Sequence, residues 1–308
     1  MRPDNALNVR DSDLLKAAAA KKEHQKQRWI KAFRFVRSNK KLLIGAAIFI
    51  VVVIFAIFAN QIAPYHYSTI NTGNRFEMPS RDHLFGTDSL KRDVFSRVVY
   101  GTRISLTVGI ICVGISVGIG VPTGLLAGYS GGWIDMVFMR ICDVLLSIPW
   151  VLMAVAVTAV TGPGIQVVYI AMGLVHAPGF MRLTRGMVLS IREREYVDAA
   201  EQLGESKASI LFRYILPNSA GMIIVRATTI MARAVLSEAA ISYIGYGTQP
   251  PNPSWGLMLT DSQGYLWQQP WLAIFPGLAI VILVLSVNIF GDALRDLLDP
   301  RYKGRVMN

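Results

Sequence analysis

Charged residues and cysteines are scarce in this sequence, and several familiar catalytic motifs are absent. Only 17% of the 308 residues are charged, and the two cysteines, Cys112 and Cys142, stand in apolar stretches without metal-ligand spacing. We therefore expect packed or lipid-facing thiols rather than redox or metal chemistry. The sequence contains no GxxxxGK(S/T) phosphate loop, no HExxH and no CxxC. These absences exclude the usual routes to ATP hydrolysis and metalloprotease chemistry, and no catalytic or metal-binding residue is predicted.

Apolar residues, in contrast, make up 53% of the chain, which is too many for an ordinary soluble domain. The net charge of +11 is unevenly distributed: twelve Lys or Arg lie in residues 1–41 and none lie in residues 246–271. This asymmetry is typical of the positive-inside bias of membrane proteins rather than of a nucleic-acid-binding surface. We therefore expect a multi-pass membrane protein in contact with lipid, with both termini in the cytoplasm and no nucleic-acid partner.

Six apolar segments are predicted to cross the bilayer, so the predicted fold class is an all-α integral membrane protein. Residues 42–59 carry no polar side chain before Asn60 and are long enough for a hydrocarbon core of about 30 Å. They lack the short apolar core and cleavage site of a signal peptide. In the next span, close approach of helices is expected at Gly109, Gly114, Gly118, Gly120 and Gly124. The five further spans are 104–128, 134–160, 165–183, 220–245 and 271–292.

The spans divide the chain into five predicted parts. Within the external part, Asp88 and Ser89 are good helix N-caps, and apolar residues at 94–99 predict a helix lying on the outer membrane surface. The parts are a basic cytoplasmic tail at 1–41, a first transmembrane helix at 42–62, the external loop at 63–102, a core of five helices at 103–302 and a cytoplasmic tail at 303–308.

Residues 193–218, EREYVDAAEQLGESKASILFRYILPN, form a charged, helix-favouring segment between apolar spans. A chain this apolar is expected to keep such a segment in water only where another protein docks. Val197, Ala200 and Leu203 would form one short apolar helix face, and Ala208 with Leu211 a second. Gly204 stands between the faces, where glycine permits a turn, and Pro217 is expected to end the second helix.

The residues Asp198-Ala199-Ala200, Gly204 and Leu216-Pro217 resemble the signature of permease subunits of bacterial ABC importers. That signature usually has Glu at the position of Asp198 and Ile at the position of Tyr214. In the family, this segment is the cytoplasmic helix-turn-helix that fits into a cleft on the ATPase. The resemblance implies that the segment 193–217 couples to an ATPase through Tyr196, Asp198, Ala199, Ala200, Gly204, Ile210, Leu211, Leu216 and Pro217.

Two longer blocks resemble the second permease subunit of oligopeptide and dipeptide importers, the C-type branch. They are HLFGTDSLKRDVFSRVVYG at 83–101, where the branch typically has Gly in place of Lys91, and GYGTQPPNPSWGLML at 245–259. The resemblance extends over residues 80–302. It implies an importer permease core whose spans alternate between inward-open and outward-open states, in the inner membrane of a bacterium.

The same resemblance implies a permease for di- or oligopeptides that is not itself an enzyme and carries no cofactor, because ATP and Mg bind to separate ATPase subunits. The implied partners are a homologous second permease, two ATP-binding subunits and an external substrate-binding protein. Two alternatives remain open: an ion-coupled secondary transporter, which would show inverted repeats and membrane-centre carboxylates, and an importer of a non-peptide cargo such as nickel chelates.

Three charged residues fall inside the fifth span, where a charge costs about 2.5 to 3.5 kcal/mol unless it faces a polar cavity or a partner. Arg226 lies about 9 Å and Arg233 about 20 Å from the start of the span, so only Arg226 reaches the cytoplasmic interface easily. We predict that Arg226, Arg233 and Glu238 contribute to a translocation path, with Asp143 as a possible partner of Arg233. His176 is interpreted as a packed helix residue.

External tryptophans form a last group of candidates. Trp267 and Trp271 are expected to anchor helix ends at the membrane interface. Trp255 stands among three prolines, Pro250, Pro251 and Pro253, and is predicted to belong to an ordered loop that contacts the substrate-binding protein.

Overall fold

Apolar runs that cross a membrane fold as helices, because a helix satisfies its own backbone hydrogen bonds where no water is available. The computed structural model describes residues 40–298, so nearly all of the predicted tail at 1–41, the end of the predicted core and the whole predicted tail at 303–308 lie outside the described residues. The helices are α1 (Lys40–Ile57), α2 (Ala59–Ile62), α3 (Val94–Ser130), α4 (Gly132–Ser147), α5 (Trp150–Thr161), α6 (Ile165–Arg192), α7 (Glu195–Gln202), α8 (Lys207–Ser209), α9 (Leu216–Tyr243), α10 (Trp255–Ser262) and α11 (Trp271–Leu298), with a π turn at Ile210–Ile215 and a 3₁₀ turn at Gln263–Tyr265.

The predicted all-α membrane class is confirmed. Within the described residues, four helices are long and apolar enough to cross a membrane: α3, α6, the continuous helix Lys207–Tyr243 and α11. The first predicted span corresponds to the shorter apolar helix α1. Among residues 40–298 the only strand-like pairing is one isolated bridge between Thr87 and Asp93.

The third predicted span is not one straight helix. Helices α4 and α5 meet at an angle of 92° and pass the length test only as a pair. The break lies at Ile148, whose backbone is extended, and at Pro149. A proline lacks the backbone N–H and disfavours a helical conformation in the residue before it, so the continuous apolar pattern concealed a bend.

Helix α3 packs most extensively against α6, and three of its glycines make this possible. A Cβ added at Gly124 would lie 2.5 Å from the Met181 carbonyl oxygen, and one added at Gly128 would lie 2.8 Å from the Val188 Cβ. Gly120 is equally close to α6. The expected close approach of helices is therefore present here, whereas Gly114 and Gly118 on the same helix meet nothing within 4 Å.

The predicted helix on the outer membrane surface is wrong, because residues 94–99 are the first turns of α3 and are mostly buried. Its N-cap is Asp93, whose carboxylate accepts a hydrogen bond from the Ser96 backbone N–H at 2.7 Å. The helix passes through Arg103 without a break, and the Arg103 guanidinium donates to the carbonyl oxygens of Ala56 and Ile57 at the end of α1. Arg103, at the boundary between the predicted external loop and the next predicted span, thus joins α3 to α1.

Acidic and basic side chains near the start of α3 pair with one another. Arg92 lies 2.6 Å from the Asp88 carboxylate and 3.6 Å from that of Asp261, and Arg97 lies 3.9 Å from Asp88. Burial raises the pKa of the Asp261 carboxyl, and the two guanidinium groups oppose that rise. The network attaches the start of α3 and the residues before it to α10.

Candidate coupling segment and transmembrane cavity

The predicted docking segment forms a helix-turn-helix, and its turn depends on Gly204. After α7, the Glu205 N–H donates to the Ala200 carbonyl at 3.1 Å and the Gly204 N–H donates to the Glu201 carbonyl at 3.0 Å. This pair of bonds is the Schellman ending of a helix, which places a left-handed residue just past the helix. Gly204 is that residue, with φ of +78°, so the turn predicted at this position is present.

The second helix of the segment does not end at Pro217, contrary to the prediction. It runs from Lys207 through the π turn into α9 as one continuous helix ending at Tyr243. Within the π turn, the Leu216 N–H donates to the Leu211 carbonyl, one residue further back than in an α-helix. The Asn218 side chain donates to the Tyr214 carbonyl at 2.6 Å. A local side-chain bond and a wider turn therefore accommodate a proline that would otherwise disrupt the helix.

The two faces of the segment differ sharply in exposure. Val197, Ala200 and Ile210 are buried in the core that α3 and α6 share. Leu203, predicted to pack on the same face, is instead 85% exposed, and Phe212 is 65% exposed. Two apolar side chains therefore point away from the protein. Of the remaining predicted residues, Leu211 and Leu216 are half-buried, and Tyr196, Asp198, Ala199, Gly204 and Pro217 are exposed.

Side chains bind the segment to the ends of two long helices. The Tyr129 hydroxyl at the end of α3 donates to the Glu201 carboxylate at 3.0 Å, and Arg192 at the end of α6 donates to the Tyr129 carbonyl at 3.3 Å. Inside the segment, the Glu205 carboxylate accepts hydrogen bonds from Ser209 and Tyr214. Sequence reasoning missed these contacts, because partners 72 residues apart, such as Tyr129 and Glu201, leave no local pattern.

A cavity of about 580 Å³ lies between α9, α6 and the break between α4 and α5. Arg226 and Arg233 both line it, so the structure brings these two predicted residues together. His176, which the sequence indicates as a packed helix residue, lines the cavity as well. So does Trp150, for which no role is predicted from the sequence. Pro149, the neighbour of Trp150, is the sequence signal that could have identified it. A proline interrupts a helix, and irregular backbone at membrane depth is tolerated only where it is buried in protein or lines a cavity.

Glu238 does not reach this cavity. Its carboxyl group is fully buried, and one oxygen, Oε1, accepts hydrogen bonds from the hydroxyls of Ser242 at 2.7 Å, Ser254 at 2.7 Å and Thr248 at 3.1 Å. Glu238 therefore holds the loop after α9 against the helix. Asp143 is not the partner of Arg233 either, because it pairs with Arg182 at 2.7 Å.

Trp255 is also a packing residue in this conformation. Its side chain is 2% exposed, and the indole N–H donates to the Val98 carbonyl of α3 at 3.0 Å. The ring thus offers almost no surface for the predicted contact with an external protein. Of the two expected interface tryptophans, Trp267 is 97% exposed, whereas Trp271 is buried.

Among residues 40–298, no group of three or more His, Cys, Asp or Glu is arranged to hold a metal ion. Cys112 and Cys142 are free and buried.

Comparisons with known proteins match nearly the whole chain. The family described as "Binding-protein-dependent transport system inner membrane component" matches residues 120–304, and that described as "N-terminal TM domain of oligopeptide transport permease C" matches residues 27–79. The dipeptide transport system permease protein DppC of Alkalihalophilus pseudofirmus is 43% identical over 275 residues, covering 89% of this chain and 90% of that protein.

A second relative, the glutathione transport system permease protein GsiD of Escherichia coli O157:H7, is 41% identical over 282 residues and covers 90% of this chain and 91% of that protein. Among solved structures, an inward-facing form of the MetNI methionine ABC transporter is similar with a TM-score of 0.55 and 19% identity. The similarity covers 66% of this chain and 96% of the MetNI chain, and it shows a shared fold.

Proposed function

The chain belongs to the family of binding-protein-dependent transport system inner membrane components, in the C-type branch of ABC importer permeases, and from this premise we propose that it moves peptides into the cell. Both relatives at about 40% identity bear the names of permeases for peptide-like cargo, a dipeptide and glutathione. We propose the same class of cargo for this chain. Uptake of a nickel chelate or another non-peptide cargo in place of peptides would replace this proposal.

The observation that carries the proposal is the exposed helix-turn-helix at 193–217. Its outer side presents Leu203 and Phe212 to solvent, while its inner side is buried against the helical core. Isolated exposed apolar side chains at the tip of a polar segment suit a complementary apolar cleft on a partner. We propose that this partner is an ATP-binding subunit, and that ATP and Mg bind there and not to this chain.

The contacts around the segment suggest how ATP binding reaches the membrane helices. Because Glu201 is bonded to Tyr129 and the segment continues into α9, a displacement of α7 would move α3, α6 and α9 together. We propose that closure of two ATP-binding subunits rocks these helices against those of a homologous second permease, as a rigid-body transition between inward-open and outward-open states. An external binding protein would deliver the cargo to the outward-open state.

The proposal is tested by purifying a tagged chain from its native membrane. The second permease and the ATP-binding subunits are expected to co-purify, and the reconstituted complex should take up labelled dipeptides only with ATP and the binding protein. A Leu203→Ser variant should lose the ATP-binding subunits, because it removes an exposed apolar contact. The matched variant Trp267→Ser, which changes an even more exposed apolar residue elsewhere, should retain them.

Uptake driven by an ion gradient without ATP would refute the importer mechanism. ATP-driven uptake of nickel chelates but not of dipeptides would refute only the cargo.

A further inference from the structure

The cavity beside α9 contains two guanidinium groups and no acid. Its lining residues include Arg226, Arg233 and His176, and within the described part of the chain none of the lining residues is Asp or Glu. Arg226 is half-buried and Arg233 is exposed to the cavity. One wall of the cavity is therefore cationic.

Neither arginine is neutralised by another described residue of the chain. Among residues 40–298, Arg226 and Arg233 have no ion pair, and the buried Nε of Arg226 has no hydrogen-bond partner. The nearby Nε2 of His176 is also buried and unpaired. An arginine cannot lose its proton to escape burial, so such groups are costly unless something else supplies negative charge.

The spacing of the two arginines suits an elongated ligand. They are seven residues apart on α9, which places them on one face with a separation of about 10.5 Å along the axis. Each guanidinium can bind a carboxylate through two parallel N–H···O bonds. A short peptide with an acidic side chain carries two carboxylates, which two separate guanidinium groups can bind.

The rest of the cavity wall is mainly apolar. It includes Leu145, Ile148, Met153, Val175 and, on α9 itself, Leu236, with Trp150 at the start of α5. The volume of about 580 Å³ lies within the range of small-molecule sites, which are mostly apolar with a few placed polar groups. A wall of this kind accommodates aliphatic side chains and provides no acidic group for a cationic one.

We propose that this cavity is a transit site that favours peptides of net negative charge, with Arg226 and Arg233 binding their carboxylates. The proposal rests on the proposed function of the chain as a peptide permease. It extends that function to a cargo preference, which is set in the membrane and adds to the selectivity of the binding protein.

The test compares two dipeptides in the reconstituted importer, alanyl-glutamate and alanyl-alanine, which differ by one carboxylate. The ratio of their uptake rates is measured for the wild type and for the double variant Arg226→Gln/Arg233→Gln, so that the preference of the binding protein cancels. The double variant is expected to lower the ratio about tenfold, which corresponds to the loss of one charge-assisted contact. Arg140→Gln, which removes an exposed guanidinium of α4 outside the cavity, should leave the ratio unchanged.

An unchanged ratio in the double variant would overturn the inference. Loss of subunit assembly in that variant would also overturn it, because the arginines would then be structural partners of an acid on the second permease. A wild-type complex that imports no dipeptide at all would instead refute the proposed peptide cargo.

A second measurement is independent of transport. Each rate is normalised to the rate of the same reagent with a small free thiol. By this measure, a thiol in the cavity lining, Leu146→Cys, should react several-fold faster with an anionic sulfonatoethyl methanethiosulfonate than with the cationic trimethylammonioethyl reagent, because an unpaired cationic wall concentrates anions. The native cysteines are buried and give little background. Equal normalised rates, or a difference that persists after Arg226→Gln/Arg233→Gln, would overturn the inference.

Discussion

Charged side chains in the helical bundle separate into those with a partner in the chain and those without. Asp135 accepts two hydrogen bonds from Arg185, the longer at 2.6 Å, and Asp143 pairs with Arg182. These pairs join α4 to α6 and are structural. Arg226 and Arg233 are unpaired within residues 40–298 and face a cavity, which is the arrangement expected of residues that meet a ligand.

Gly204 gives a sharp prediction at the level of one residue. Its φ of +78° is strained for a β-branched side chain, and Gly204→Val should destabilise the turn by about 1 to 3 kcal/mol. A Cβ at Gly204 would meet nothing within 4 Å, so the effect is conformational and not a clash. We expect Gly204→Val to reduce peptide-stimulated ATPase activity of the assembled complex while membrane insertion is retained.

Asparagine provides the matched control for this turn, because it adopts the left-handed conformation more readily than valine. Gly204→Asn should keep most of the stimulated activity. Equal loss of activity in both variants would mean that the side chain itself, and not the turn, disturbs docking, and full activity of Gly204→Val would remove Gly204 from the coupling mechanism.

Irregular backbone within the helices occurs at the two candidate functional regions. The bend between α4 and α5 lines the cavity, and the π turn at Ile210–Ile215 joins the docking segment to α9. Both are associated with a proline, Pro149 in the first case and Pro217 in the second. The first proline breaks its helix and the second does not, because a π turn and the side chain of Asn218 compensate locally.

The contact between α3 and α6 gives a prediction at the level of elements. Gly124→Ala would place a Cβ against the backbone of α6 and should lower the stability of the chain in detergent by about 1 to 3 kcal/mol. Gly118→Ala, on an open face of the same helix, should be neutral or stabilise by up to about 1 kcal/mol, because alanine favours helix more than glycine does. Thermal unfolding followed by tryptophan fluorescence would compare them. Equal destabilisation by both variants would contradict the close packing of α3 and α6.

On the scale of the whole molecule, α9 separates two regions of different character. The docking segment precedes it and the loop held by Glu238 follows it, at the far end of a helix about 42 Å long. The 28 residues of α9 exceed the length needed to span the hydrocarbon core. The two regions therefore belong on opposite sides of the membrane.

Thiol labelling tests which side is which. A cysteine introduced at Gln263 should react with an impermeant reagent in intact cells, and one introduced at Lys207 should react only after permeabilisation. Both positions are exposed in the structure, so a difference reports the membrane side and not burial. The reverse pattern would place the docking segment outside the cell and refute its role with an ATP-binding subunit.

The sequence by itself determined the class of the protein. Long apolar spans can form only helices in a membrane, and the signature from Asp198 to Pro217 identified the family. The position of Gly204 also followed from local chemistry, since the left-handed turn after α7 needs only the residues around it. These features are local or compositional, and a linear sequence displays them directly.

Only the tertiary structure decided which of the membrane charges act together. The spacing of Arg226 and Arg233 placed them on one helix face, but their cavity is completed by His176 and by the bend at Pro149, which come from other helices. Glu238, in contrast, does not reach the cavity, because Thr248 and Ser254 fold back onto α9 and donate hydrogen bonds to its carboxylate. Whether a charge is neutralised depends on the groups that surround it in space, and residues distant in sequence supply those groups.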